Sequence, residues 1–426
     1  MNLSLILFYF LIILLPLQLA RHFFFDFSLI SGIRSDYLAP TIYLTDILIS
    51  LIIITNLVTR IKNSKFKIKA KNKFWLISFI VIYLLFNSFL IAHNQGVAFY
   101  KSVKILEMIL LGCAIVNLKP KTMTVIKLLS VPIFYSSSIA IWQFLSQKSI
   151  SGALWWIGER SFNAGTPGIA AFSWGGRLIL RPYATFPHPN VLGGFLATVL
   201  PLMLLVLLSS FQKTPKLLYG WLFLSFILGL AALFLSFSRA AWGISLVGFL
   251  MVIFWDKQII INWLDSKKKT VLIIFYGLIF LSVVIPLSSP GANFLGGQSF
   301  IERADLIKAT LLLVKSNFIF GTGLNNLIIQ IRYFVPHLSS LYIFQPVHNI
   351  YLLVFGETGI TGLLIFLTFL HISFQKSLKS SFATTFALIL VFLLGLFDHY
   401  LLTLQQGQIL LTVFISLAFL PKNEVN

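Results

Sequence analysis

Apolar runs of membrane length recur along this chain, near residues 3–20, 38–58, 74–91, 103–118, 124–145, 188–209, 217–236, 240–255, 270–287, 347–370, 382–397 and 403–420. At a rise of about 1.5 Å per residue, about 20 helical residues cross the hydrocarbon layer. The runs therefore predict an all-α polytopic integral membrane protein of about 12 transmembrane helices, a single membrane domain over residues 1–426. Composition points the same way: 10% of the 426 residues are charged and 58% hydrophobic, whereas soluble domains carry about 25% charged residues. One soluble core could not absorb so much apolar surface, which leaves the lipid bilayer to cover it. The first run lacks the basic flank of a cleavable signal and reads as the first span.

Lysine placement orients these spans. Residues 60–73 hold Arg60, Lys62, Lys65, Lys67, Lys69, Lys71 and Lys73 without an acid. Alternate connections after that are also basic: Lys119/Lys121, Lys213/Lys216, Lys257 with Lys267–Lys269, and Lys376/Lys379. With twelve spans all of these fall on one side, which the positive-inside bias makes cytoplasmic together with both termini. The formal charge of +20 is thereby a topology signal, and nucleic acid is not expected as a partner. Cys113 is the single cysteine, so no disulfide or cysteine-based metal framework exists within the chain; inside an apolar run it reads as a small buried hydrophobe.

The opposite, outer side receives two long connections, 146–187 after span five and 288–346 after span nine, both rich in Gly, Ser, Pro, Asn and aromatics. Long connections tend to carry function. The second includes two helix-like segments, 300–316 and 323–335. Their apolar residues, among them Leu306, Ile307, Leu311, Leu327, Ile328 and Ile331, predict helices resting on the outer membrane surface.

Ionisable residues at membrane depth are costly and tend to be functional. Lys104 and Glu107, spaced i,i+3, read as an internal ion pair. Arg239, in the short turn Ser236-Phe237-Ser238-Arg239, falls at the outer headgroup plane, where a guanidinium fork suits phosphate; snorkelling to lipid is the structural alternative. Arg177, Arg181 and Arg303 add positive charge on that face with little counter-charge, a setting for an anionic ligand. His348 begins span ten, where the positive helix end disfavours imidazolium and favours a neutral general base. Glu357, nine residues on, falls on the opposite side of that helix and so is not its orienting carboxylate. His188, His337 and His399, the last beside Asp398, are also outer, but their spacing does not argue for a metal site.

Four segments, in order, resemble the O-antigen ligase and O-antigen polymerase superfamily: Arg181-Pro-Tyr-Ala-Thr-Phe-Pro-His188-Pro-Asn190, Ser238-Arg239-Ala-Ala-Trp242, Glu302-Arg303 followed by Phe320-Gly321-Thr-Gly323, and Val347-His348-Asn349 continuing to Gly356-Glu357-Thr-Gly359-Ile-Thr-Gly362. The likeness is strongest over residues 180–370. It implies a membrane-embedded architecture resembling GT-C type glycosyltransferases. The implied activity moves a glycan from a polyprenyl diphosphate carrier to an acceptor hydroxyl, on a glycolipid, glycan or other molecule, at the outer face of the cytoplasmic membrane. The reaction implied is inverting, with no cofactor and no metal. Carried over, Arg239 and Arg303 would hold diphosphate and His348 would be the essential loop-end histidine. Arg181, His188, Asn190 and Asn349 would be further substrate-binding positions. Ligase and polymerase share this donor and differ in acceptor, so both remain open, as does the oligomeric state. A transporter for a small anion or a lipid-linked glycan is the alternative from another class; it expects inverted repeats and midplane charge, whereas these arginines gather at one face.

Overall fold

A computed structural model describes residues 2–62, 71–209, 214–254, 264, 266–287, 298–334 and 344–421. Lys65, Lys67, Lys69, Lys213, Lys257 and His337 lie outside the described residues. The protein is mostly helical. Helices α1 (Leu3–Ile13), α2 (Leu44–Lys62), α3 (Lys71–Phe86), α4 (Gln95–Leu118), α5 (Thr122–Leu128) and α6 (Ser130–Ser146) form the first part. Helices α7 (Pro189–Ser209), α8 (Lys216–Leu235), α9 (Arg239–Phe254), α10 (Lys268–Leu287) and α11 (Gln298–Ser316) follow. The chain closes with α12 (Leu327–Gln330), α13 (Ile350–Ser380), α14 (Phe382–Gly395), α15 (Tyr400–Thr403) and α16 (Gln405–Ala418).

Among the described residues, six helical stretches are long and apolar enough to cross a membrane: Leu44–Lys62, Thr122–Ser146, Pro189–Ser209, Lys216–Leu235, Lys269–Leu287 and Ile350–Ser380. Shorter apolar helices occupy five further runs, and α4 is long enough but carries Lys101, Lys104 and Glu107. The first predicted span is too long: α1 stops at Ile13, and the chain then turns into strand β1 (Ala20–His22). Pro16 explains the break, because its ring disfavours helix in the residue before it and removes a donor.

The structure also departs from an all-α reading. Three antiparallel two-stranded sheets pair β1 with β4 (Thr41–Tyr43), β2 (Leu29–Ile30) with β3 (Ile33–Arg34), and β5 (Ala171–Trp174) with β6 (Arg177–Leu180), the last two as hairpins. They lie in connections, where backbone N–H and C=O groups lack a helix to pair them.

Helix α7 is the hub. It is buried along nearly its whole length and packs against α5, α8, α9 and α14. Residues such as Leu196, Leu200 and Leu202 are fully enclosed by the main apolar core. By contrast, Cys113 is exposed, which corrects the expectation of a buried residue: its side of α4 faces outward, where an apolar membrane environment accepts a thiol. Lys104 bonds Glu107 at 2.6 Å and also Asp46 on α2 at 2.7 Å, so the expected pair is a three-residue cluster joining α2 and α4.

The two helix-like segments of the second long connection pack apolar faces against the protein. Leu306, Ile307, Leu327 and Ile331 are buried with Val347, Leu352 and Leu353 of the α13 region, and Ile328 with Ile30, Leu38 and Val97. The second segment is shorter than predicted, one turn of α12 plus a 3-10 turn at Ile331–Tyr333. Protein side chains cover these residues.

Two glycine motifs explain how this connection is held. Helix α13 is interrupted at Gly359, where φ is 64° and ψ −168°. The segment Phe318–Gly323 pairs with the freed backbone: Ile360 N donates to Phe318 O at 2.8 Å, Thr322 N to Gly356 O at 3.0 Å, and Gly323 N to Glu357 O at 2.9 Å. A Cβ on Gly321 would meet Glu357 C at 2.4 Å, and one on Gly359 would meet Ile319 O at 2.3 Å. Both positions also have positive φ, so glycine alone permits this approach.

Candidate active site

Connections and helix ends converge on a cavity of about 490 Å³ whose lining includes His188, Asn190, His348, Asp398, His399 and Arg160. His348 lies just before Asn349, which caps α13 by accepting from Tyr351 N and Leu352 N, each at 3.0 Å. Asn349 also donates to Ser282 Oγ on α10 at 2.7 Å and to Leu396 O at 3.2 Å. With 1% exposure and its amide engaged at both ends, Asn349 is a structural residue.

Asp398 sits between α14 and α15. Its Oδ1 lies 3.1 Å from His348 Nδ1 and 3.9 Å from His399 Nε2. Burial raises the Asp398 carboxyl, but His348, His399 and Arg303 outweigh it and hold it well below the usual carboxylate range. It is therefore ionised, and His348 Nδ1–H donates to it. Burial, followed by the Arg303 charge, pushes His348 down by more than Asp398 lifts it. His348 is thus neutral with a free Nε2 lone pair. Burial and the Arg303 charge therefore act in the direction of the neutral imidazole expected from sequence. Asp398 supplies the orienting carboxylate that Glu357 could not.

Arg303 Nη1 donates to Phe397 O at 3.2 Å, fastening α11 beside Asp398. Arg181 Nε donates to Ser236 O at 2.8 Å and its NH2 group to Asn190 Oδ1 at 2.6 Å. The motif around Arg181 is thereby tied both to the α8–α9 turn and to the start of α7. Burial lowers Arg181 to about 10, and the charges of Arg303 and Arg239 contribute to the shift, so the three guanidinium groups share one electrostatic neighbourhood. Arg239 is exposed at the first position of α9. Hairpin β5–β6 braces the same turn, with Phe172 and Phe237 stacked at a centroid separation of 3.7 Å.

His188 precedes α7, and its Nδ1 accepts from Asn190 N at 3.1 Å. Burial, then Arg181, lowers it to about 3. The remaining cavity wall includes Tyr37, Tyr43, Trp155 and Asp36. Arg160 and Asp398 were the site residues hardest to find in sequence; Asp398 had one signal, its adjacency to His399.

His348, Asp398 and His399 also place three candidate ligand atoms within 4.8 Å of one another, a proximity that spacing along the chain did not suggest. The His348–Asp398 hydrogen bond and the adjacent Arg303 charge fit a hydrogen-bonded pair better than a cation site, because guanidinium raises the cost of a metal ion there.

A separate apolar groove of about 280 Å³ runs between α9, α10, α13 and α14, lined by Met251, Phe275, Leu278, Leu370, Phe374 and Phe392 among others. Leu278 in this lining is one helical turn from Ser282, the partner of Asn349.

Residues 224–367 match the family model described as O-Antigen ligase. The matched stretch carries Arg239, Arg303 and His348 and supports kinship with the O-antigen ligase-related superfamily; Arg181, His188 and Asp398 lie outside it. No curated protein matches the chain.

Proposed function

We propose that this O-antigen ligase-related membrane protein transfers a glycan from a polyprenyl diphosphate carrier to an acceptor hydroxyl at the outer face of the cytoplasmic membrane. The observation that carries the reading is His348, pinned by Asp398 and facing a polar cavity, with the Arg303 charge acting on it and Arg181 in turn within range of Arg303 and Arg239. A base and an anion site are thereby adjacent at the ends of apolar helices. The architecture proposed is twelve spans of a GT-C-like bundle with both termini cytoplasmic.

In this mechanism the acceptor oxygen attacks the anomeric carbon while His348 Nε2 takes its proton. The bond from that carbon to the diphosphate oxygen breaks with inversion. The leaving electron pair stays on the carrier diphosphate, where Arg239 and Arg303 offset the developing charge. The polyprenyl chain lies along the apolar groove beside α10, and the acceptor occupies the cavity. Holding both in line contributes proximity.

The ligase-like reaction is the preferred form, with a polymerase-like extension of a carrier-linked glycan separated from it by the acceptor alone. Membranes holding the protein are given one carrier-linked donor and either a glycolipid or a second carrier-linked glycan. Transfer to the glycolipid that His348→Ala abolishes supports the ligase reading. Near-normal transfer by that variant at equal expression removes the catalytic role of His348.

A further inference from the structure

His188 and His348 face the same cavity, and each has its Nδ1 atom committed to the protein, but in opposite senses. His348 Nδ1 faces the carboxylate of Asp398 at 3.1 Å, so that nitrogen must carry a proton and Nε2 presents a lone pair. His188 Nδ1 faces the backbone N–H of Asn190 at 3.1 Å. An N–H can only donate, so that nitrogen must be the unprotonated one and Nε2 carries the hydrogen.

The backbone enforces this assignment at His188. Its carbonyl accepts from Val191 N at 3.0 Å, beginning the α7 ladder, while Nδ1 satisfies a helix-start donor that otherwise lacks a partner. Pro189 contributes no N–H, leaving the Asn190 N–H as the first one available. Asn190 is held in turn by Arg181 through its side-chain oxygen at 2.6 Å. Protonating Nδ1 would set two N–H donors against each other and add charge beside Arg181 and Arg303, which Asp398 offsets in part.

Resting on the transfer reaction proposed above, we propose that His188 is a fixed neutral hydrogen-bond donor, through Nε2–H, to a diphosphate oxygen of the carrier-linked donor. It is not a second base. The two histidines divide the work: His348 accepts the acceptor's proton, and His188 stabilises charge on the leaving oxygen without transferring a proton.

The test uses two substitutions that separate the two ring nitrogens. His188→Asn keeps an acceptor near the Nδ1 position, preserving the cap on α7, and removes the cavity donor. His188→Gln places an amide donor near Nε2. Expected are a roughly 100-fold lower kcat for the Asn variant with an unmoved acid limb, and substantial recovery for the Gln variant. Wild-type transfer by the Asn variant, or an acid limb that shifts in it, overturns the role. Nitrogen-15 histidine spectra of the full chain in detergent check the tautomer independently of turnover. A signal absent from the Asn variant should report Nε2–H; an Nδ1–H signal overturns the assignment. If spectra show Nε2–H while the wild-type protein transfers no glycan, the reaction reading fails and the tautomer lock stands.

Discussion

Nδ1 of His348 lies 3.1 Å from Oδ1 of Asp398, a residue 50 positions later in the chain. The contact joins the loop before α13 to the turn between α14 and α15. It decides the tautomer of the imidazole and, with it, which nitrogen faces the cavity.

Asp398→Ala should leave His348 buried without its orienter. Glycan transfer is expected to fall by about 100-fold or more, chiefly in kcat, as for loss of a positioned base. Side-by-side kinetics with His348→Ala in membranes of matched expression check this. Asp398→Ala activity equal to wild type would remove the pairing from the mechanism.

The pH profile follows from the direction of the His348 shift. Its pKa lies below the ordinary 6.5, so transfer should hold through neutral pH and decline only as acid protonates Nε2. Asp398 raises the His348 value, and removing it should move the residual activity's acid limb to lower pH. A limb that moves upward contradicts this electrostatic picture.

Stability should depend on acid in a related way. His188 and His399 are each lowered from 6.5 to about 3 by burial first. Between those values the unfolded chain binds protons that the folded chain refuses. Stability present above pH 6.5 is therefore lost progressively as pH falls toward 3. Thermal unfolding in detergent across that window should show a decreasing Tm, and a flat Tm would refute the linkage.

Gly359→Ala should destabilise the clamp between the second long connection and α13. Its new Cβ would meet Ile319 O at 2.3 Å at a positive φ, a strain of order 1–3 kcal/mol before the clash is counted. Gly220→Ala is the control, because its Cβ meets nothing within 4 Å and alanine suits a helix better. Detergent Tm should fall for the first and hold or rise for the second.

Arg239→Lys should impair transfer even though charge is preserved, since lysine lacks the two-pronged fork for a diphosphate. Carrier binding and turnover measured together check the point. Unchanged values for both would exclude Arg239 from that role.

The membrane class and helical plan were legible because length and apolarity are local properties. A run such as 188–209 carries its own case for burial, and α7 overlies it at Pro189–Ser209. Arg239, Arg303 and His348 could also be singled out, because a costly charge or histidine stands out against an apolar background. The pairing of Phe320-Gly321-Thr-Gly323 with the interrupted helix at Gly359 was not legible; each motif had meaning alone, but their mutual backbone bonds cross a long connection. Nor did sequence separate Asn349, consumed as a cap, from its neighbour His348, which faces the cavity. Adjacent residues around a helix start point in different directions, and only packing assigns them.

Sequence by itself determined that this chain is a helical membrane protein with an arginine- and histidine-bearing set of helix ends, because hydrophobicity and charge are written residue by residue. Tertiary structure alone decided that Asp398 orients His348, that His188 presents a donor, and that the second long connection packs apolar faces against the protein. Those outcomes depend on distances between segments far apart in the chain, which local pattern does not encode.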